Sequence, residues 1–221
     1  MRPFDRLPPA EVERLRAAGK LRQFEKGATL FEAGERTDRL YVVLSGRVRL
    51  GHLRADGSVR AVCIMQDTDT FCCLPAMDGG PYPVTATAAV DTTVLEIPGR
   101  LFRELLHAHP EFSSTALTQF CGRIRDAACE SCSVLDEVPA RLASRLLQLD
   151  RQFKGNIPLT RREIGELAGT TVETTIRCLK EFEAQGWVEL GRSSVRVLDA
   201  AALERRTMGE SLPDPRARKL S

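Results

Sequence analysis

The sequence predicts an α+β fold in three parts: a β-rich N-terminal domain, one long helix, and a small helical domain that carries a β wing. Three observations predict it. Between residues 21 and 97, short apolar alternations are cut repeatedly by turn-forming pairs. From Glu111 to Val138, apolar and small residues recur at alternating steps of four and three. From Thr160 to Leu198, two helix-length segments meet at Gly169 and two strand-length segments flank "GRSS".

In chain order, the first element is a short helix, opened by Pro8 at a first-turn position and closed by Gly19. The turn signals that follow are Lys26-Gly27, Gly34-Glu35, Ser45-Gly46, Asp56-Gly57 and the run Asp78-Gly79-Gly80-Pro81. Between them, Leu40 to Leu44, Val48 to Leu53 and Val59 to Ile64 each have the length of a strand. Strands so closely joined form antiparallel hairpins, which makes residues 1–110 a β-sandwich or barrel. After Pro98 the period changes. Leu117, Cys121, Ile124, Ala128, Ser131, Leu135 and Val138 form a heptad seam over residues 111–138. Such a seam either pairs with a second copy of the chain or packs on its own domain. Ala128 and Ser131 contribute little apolar area to its middle. Pro139 interrupts the helix and marks a hinge. Leu142, Leu146 and Leu149 open the helical domain assigned to 139–203, and the polar, proline-bearing residues 204–221 read as a mobile tail.

Hydrophobic residues are 43% and charged residues 28% of the 221, with a formal net charge of +2. That balance excludes a disordered or strongly polycationic chain. No apolar run in "MRPFDRLPPAEVERLRAAGK" could serve as a signal peptide, and no membrane span is predicted, so a cytoplasmic location without a membrane partner is expected. Thiols stay reduced there. The seven cysteines therefore argue for packing, metal binding or redox chemistry rather than a disulfide framework. No nucleophile-base pair, phosphate loop or metal-protease motif is present, so an enzyme is not expected. The competing class is a thiol- or metal-binding protein that does not touch DNA.

Helix, glycine-containing turn and second helix is the arrangement that places a recognition helix in the DNA major groove, with its N-terminal residues at the base edges. Residues 171 to 177 are those residues here, Thr171, Glu173, Thr174 and Arg177 among them. Glu173 and Arg177 are four apart and share one helix face. A glutamate accepts from the N4 amino group of cytosine, and an arginine donates twice to guanine. A carboxylate gains nothing from facing the phosphates, so base readout explains Glu173 better than backbone binding. The plain alternative is an exposed i, i+4 ion pair. Phosphate partners are sought among Thr171, Arg161, Arg162, Lys180, Arg192 and Arg196. Six basic and six acidic side chains lie between 160 and 197, so bulk charge adds no support.

On these residues the chain up to about residue 200 resembles the CRP/FNR superfamily of bacterial transcription regulators. "LTRREIGELAGTTVETTIRCLKEFEAQGWVEL" is the strongest match, and "VETTIR" is similar to the Val-Glu-Thr-x-x-Arg core of the FNR branch, with Ile176 where that branch usually has serine. The resemblance implies a cyclic-nucleotide-binding-type jelly roll, a dimer helix and a winged helix-turn-helix. It also implies a homodimer on double-stranded pseudo-palindromic DNA with a central GA·TC element, and RNA polymerase as a further partner. Leu117, Cys121, Ile124, Ala128 and Leu135 would then be dimer contacts.

Cyclic-nucleotide-binding members carry a Gly-Glu pair for the ribose and an arginine for the cyclic phosphate. Here "FCCLPAMDGGPYPVTATA" puts Cys72-Cys73 and Tyr82-Pro83 at those places. A cyclic phosphate would lack its cation, so cAMP is not the expected effector. The expected signal is redox, gas or a metal centre at Cys63, Cys72, Cys73, Cys121, Cys129 and Cys132. Cys129 and Cys132 are three apart on a helix, a spacing better suited to a shared metal than to a disulfide. An iron–sulfur cluster, which needs about four thiolates, is the first cofactor choice and haem the second. Packing of small buried thiols without any cofactor is the alternative.

Overall fold

The computed structural model describes residues 4–53, 59–133 and 137–208, except for the side chains of 53, 59, 60, 126 and 128–133. They form two compact units, Met1–Asp126 and Ala127–Ser221. In the first unit α1 (Pro9–Ala18) leads into β1 (Lys20–Phe24), β2 (Thr29–Phe31), β3 (Arg39–Ser45), β4 (Arg47–Leu53), β5 (Val59–Gln66) and β6 (Thr70–Phe71). Then come α2 (Cys73–Asp78), β7 (Thr85–Ala88), β8 (Thr92–Pro98), α3 (Gly99–Ala108) and the long α4 (Pro110–Ser133), which runs on into the second unit.

The strands form two antiparallel four-stranded sheets, ordered β1-β8-β3-β6 and β2-β7-β4-β5. Period-two alternation in β3 sorts its side chains between two cores. Tyr41 and Val43 join Phe31, Val48, Leu50 and Phe71 in the core shared by the two sheets. Leu40 and Val42 point the other way, into a core with Leu15 of α1, Leu101, Phe102 and Leu105 of α3 and Phe112 of α4. Phe4, Phe102 and Phe112 lock that second core, with ring centroids 5.5 to 6.4 Å apart. The first turn of α4 is thereby fixed to the sheet domain. The three strands expected from the sequence are present, each extended by one or two residues.

The second unit contains α5 (Val138–Phe153), β9 (Asn156–Ile157), α6 (Arg161–Ala168), α7 (Val172–Ala184), β10 (Val188–Leu190), β11 (Val195–Val197) and α8 (Ala200–Thr207). Leu142, Leu146 and Leu149 are buried as their spacing predicts, in one unit with buried Ile164, Leu179, Phe182 and Val195. Thr160 closes a capping box: its hydroxyl accepts from the Glu163 N–H at 3.2 Å, and the Glu163 carboxylate accepts from the Thr160 N–H at 2.7 Å. Thr160→Ala is expected to destabilise this unit by about 1 kcal/mol, read as a lower denaturant midpoint in the helical signal of residues 127–221. An unchanged midpoint would show the cap to be idle.

Two expectations are corrected. Pro139 does not bend a continuous helix; it sits in the first turn of α5, where its missing N–H removes no helical bond. The tail expected from residue 204 is helical through Thr207, because Asp199 caps α8 by accepting from the Ala202 N–H at 2.9 Å and Leu203 and Arg206 are buried. Residues 209–221 lie outside the described residues.

Candidate nucleic-acid interface and sensory cassette

The recognition helix is fixed from its N-terminus inward. Gly169 ends α6 with φ +64°, the left-handed conformation a glycine adopts without strain. A β-carbon on Gly165 would lie 2.6 Å from the Thr175 hydroxyl, so only glycine lets α6 and α7 approach this closely. Arg141 of α5 donates to the carbonyls of Ala168 and Gly169 at 3.2 and 3.3 Å, placing a cation at the C-terminus of α6. Thr171 caps α7 by accepting from the Thr174 N–H at 3.2 Å, and the Thr175 hydroxyl donates back to the Thr171 carbonyl at 2.8 Å. Thr175, Cys178, Leu179 and Phe182 are buried, and the Phe182 ring lies 5.4 Å from that of Trp187. One face of α7 is locked in the core.

The opposite face carries Glu173, Ile176, Arg177 and Lys180, all exposed. These are positions i, i+3, i+4 and i+7, a single stripe along the helix. The Glu173 carboxyl is held below its ordinary value by its own backbone N–H and by the Thr171 hydroxyl. It is therefore an ionised acceptor, the form that reads an amino group. Thr174 is half-buried and tied to the cap.

The basic candidates divide by position. Arg161 was expected at a phosphate; its guanidinium instead donates to the carbonyls of Ser194 at 2.9 Å and Gly191 at 2.8 Å, bracing the turn of the wing. Arg196 pairs with Glu189 across the wing at 3.0 Å, a cross-strand pair in register. Arg162, Lys180 and Arg192 are exposed.

In the first unit, the place where the resemblance puts the phosphate ligand is filled by a ring. Tyr82 stacks on Phe31 at 3.8 Å between centroids and donates its hydroxyl to Tyr41 at 3.3 Å; Phe71 stacks on Tyr41 at 5.3 Å. Burial pushes both phenols above their ordinary value. Cys72 sits at φ +61°, a left-handed conformation in which glycine would be relaxed. Tyr82 stands where the resemblance expects the arginine, inside an apolar core.

Among the described cysteines, Cys72 lies near Cys63 and Cys73. Cys63 and Cys72 pack against the inter-sheet core, and Cys73 against the other core. Burial pushes the Cys72 thiol up and the Cys73 thiol up to about 11, opposed in part by the Arg123 guanidinium. Burial thus favours the protonated form of both thiols. Cys73 lines a void of about 10 Å³ with Thr70, Ala116, Phe120 and Arg123. Cys121 is exposed beside Leu117. At about 100° per residue, it points away from the side of α4 that meets Cys73. The side chains of Ala128, Cys129, Cys132 and Leu135 lie outside the described residues. Among the described residues no three His, Cys, Asp or Glu side chains are grouped to hold a metal ion. The described thiols of one chain thus do not fit a four-thiolate cluster.

Sequence reasoning missed Arg123. From α4 it donates to the Thr70 carbonyl at 2.9 Å and reaches the Met65 sulfur at 3.7 Å. The spacing Ala116, Phe120, Arg123 was the signal for this inner face, but the seam residues beside it drew the reading.

Both units match known protein domains. Residues 21–109 match the cyclic nucleotide-binding domain and residues 140–206 the Crp-like helix-turn-helix domain. Over 212 residues the chain is 30% identical to the "CRP-like cAMP-activated global transcriptional regulator" of Mycobacterium tuberculosis (strain CDC 1551 / Oshkosh), covering 92% of this chain and 95% of that one. The chain belongs to the CRP/FNR family of transcription regulators. Another member, the transcriptional activator protein FnrA of Stutzerimonas stutzeri, is 30% identical over 192 residues, covering 82% of this chain and 78% of that one. The fold is shared with FixK2 from Bradyrhizobium japonicum, at a TM-score of 0.73 and 23% identity, covering 85% of this chain and 96% of that structure. As a CRP/FNR regulator the protein is a DNA-binding transcription regulator and not an enzyme. Among the described residues no helix is long and apolar enough to cross a membrane.

Proposed function

We propose that this regulator binds a pseudo-palindromic DNA site as a homodimer, reading each half-site with Glu173 and Arg177, under a signal other than cAMP. The observation that carries the reading is the stripe on α7: an ionised acceptor and a bidentate donor held four residues apart at a capped helix start, with the opposite face locked in the core. Lys180, Arg162 and Arg192 supply phosphate contacts, and Thr171, whose hydroxyl caps the helix, marks the end that enters the groove. Leu117 and Ile124, 62% and 67% exposed one helical turn on either side of Cys121, supply the seam to a second copy. RNA polymerase is the partner through which a bound dimer acts on transcription. Selection from random duplexes tests the reading: two inverted half-sites, centred about 34 to 36 Å apart, are expected, and a pool without dyad symmetry would contradict it.

The signal belongs to the redox, gas or metal-centre class, and Arg123 is the polar link through which it acts. A change of charge or bonding at Cys72 or Cys73 alters what that guanidinium faces, and the guanidinium belongs to α4. Adding cAMP to roughly 1 mM is expected to leave the DNA-binding curve unmoved. Oxidation strong enough to reach a buried, protonated thiol is expected to shift the curve for the parent and not for Cys73→Ser. A cAMP-dependent curve, or an equal response of both proteins to oxidant, would contradict this assignment.

A further inference from the structure

We propose that Cys73 is a site of oxidation by hydrogen peroxide to a sulfenic acid, and that Thr70 and Arg123 hold the added oxygen. The inference rests on the redox reading of the cassette and gives that reading its chemistry. It starts from a hydroxyl. Thr70 is only 6% exposed, and its Oγ1 has no hydrogen-bond partner among the described residues. A buried hydroxyl left so is costly, and the cost calls for an explanation. Thr70 lines the same small void as Cys73, Gln119 and Arg123, and at about 10 Å³ that void has room for a single water-sized group. Arg123 already donates to the Thr70 carbonyl at 2.9 Å, and a guanidinium carries further N–H donors for a second acceptor.

The step balances with peroxide as its only co-reactant. The Cys73 sulfur bonds to one peroxide oxygen as the O–O bond breaks, so the sulfur loses an electron pair and the peroxide is reduced to water. The thiol proton leaves with the departing hydroxide. The product carries one oxygen more than the thiol, beside a void that one such atom fills. Its O–H donates to Thr70 Oγ1, and its oxygen accepts from Arg123. A neighbouring thiol ordinarily consumes a sulfenic acid by forming a disulfide. Here Cys63 and Cys72 pack against the inter-sheet core and Cys73 against the other, while Cys121 points away, so no described thiol of this unit is placed to do so. Burial pushes the Cys73 thiol up to about 11, and the thiolate is the reacting form, so the site answers sustained peroxide rather than traces.

Trapping with dimedone provides the test. The full-length protein is treated with peroxide, catalase ends the exposure, dimedone is added at intervals, and peptide mass spectrometry locates the adduct. Cys73 of the parent is expected to carry it, and to show a gain of one oxygen when the trap is omitted. Thr70→Val keeps the shape of the side chain and removes the hydroxyl, so the lifetime of the oxidised form should fall roughly fivefold, the worth of one hydrogen bond. Thr70→Ser should keep the parent's lifetime, a rescue that a packing role alone would not give. Adducts only at other cysteines, a Cys72–Cys73 disulfide, or equal lifetimes in the parent and Thr70→Val would overturn the inference. Those outcomes leave the redox reading in place wherever oxidant still shifts the DNA-binding curve through Cys73. A trapped Cys73 beside an unmoved curve removes that reading and keeps the chemistry.

Discussion

Arg177→Ala is expected to lower affinity for the selected operator by about 1 to 3 kcal/mol per half-site while leaving binding to random DNA nearly unchanged. The guanidinium stands on an exposed face of α7 whose other face is fixed by buried Thr175, Cys178, Leu179 and Phe182, so truncation removes the contact without disturbing the helix. Glu173→Ala is expected to act in the same sense, because its carboxylate contributes nothing to phosphate attraction. Lys180→Ala is the control. A phosphate contact should weaken all sequences alike and reduce the salt slope by about 1. Competition titrations of the three variants against operator and random duplex separate these behaviours. Equal losses on both duplexes for Arg177→Ala would reassign it to the backbone.

The second large effect is expected from the paired change Leu117→Glu and Ile124→Glu. Both side chains are exposed, so the charges cost the folded unit little, but two facing copies would have to bury four carboxylates. Sedimentation should show a monomer at micromolar concentration where the parent is a dimer. Operator affinity should fall by roughly 10² to 10⁴, because the second half-site no longer binds at high effective concentration. A variant that still sediments as a dimer would place the interface elsewhere on the chain.

Much of this organisation was legible in the sequence because it follows from local chemistry. Thr160, Gly169 and Thr171 announce the ends of α6 and α7 through capping and a left-handed turn. The wing strands follow from apolar alternation around "GRSS". Non-local contacts were not legible. Nothing near Arg161 in the chain reveals that it braces carbonyls 30 and 33 residues away. Clustered cysteines suggested a common site, yet Cys63 and Cys72 pack against one core and Cys73 against the other, while α4 turns Cys121 away from Cys73. Burial decides the state of those thiols, and burial is a property of the packed unit. The aromatic cluster around Tyr82 escaped for the same reason: Phe31, Tyr41, Phe71 and Tyr82 are scattered in sequence and meet only when the sheets close.

The central claim is that two identical recognition helices read bases without a cyclic nucleotide. Its most direct measurement is the ratio of operator to random-duplex affinity for the purified parent at one fixed salt concentration, with no nucleotide added. A ratio of at least about 10³ that falls for Glu173→Ala and Arg177→Ala is the predicted result. A ratio near one that rises only when cAMP is supplied would contradict the account.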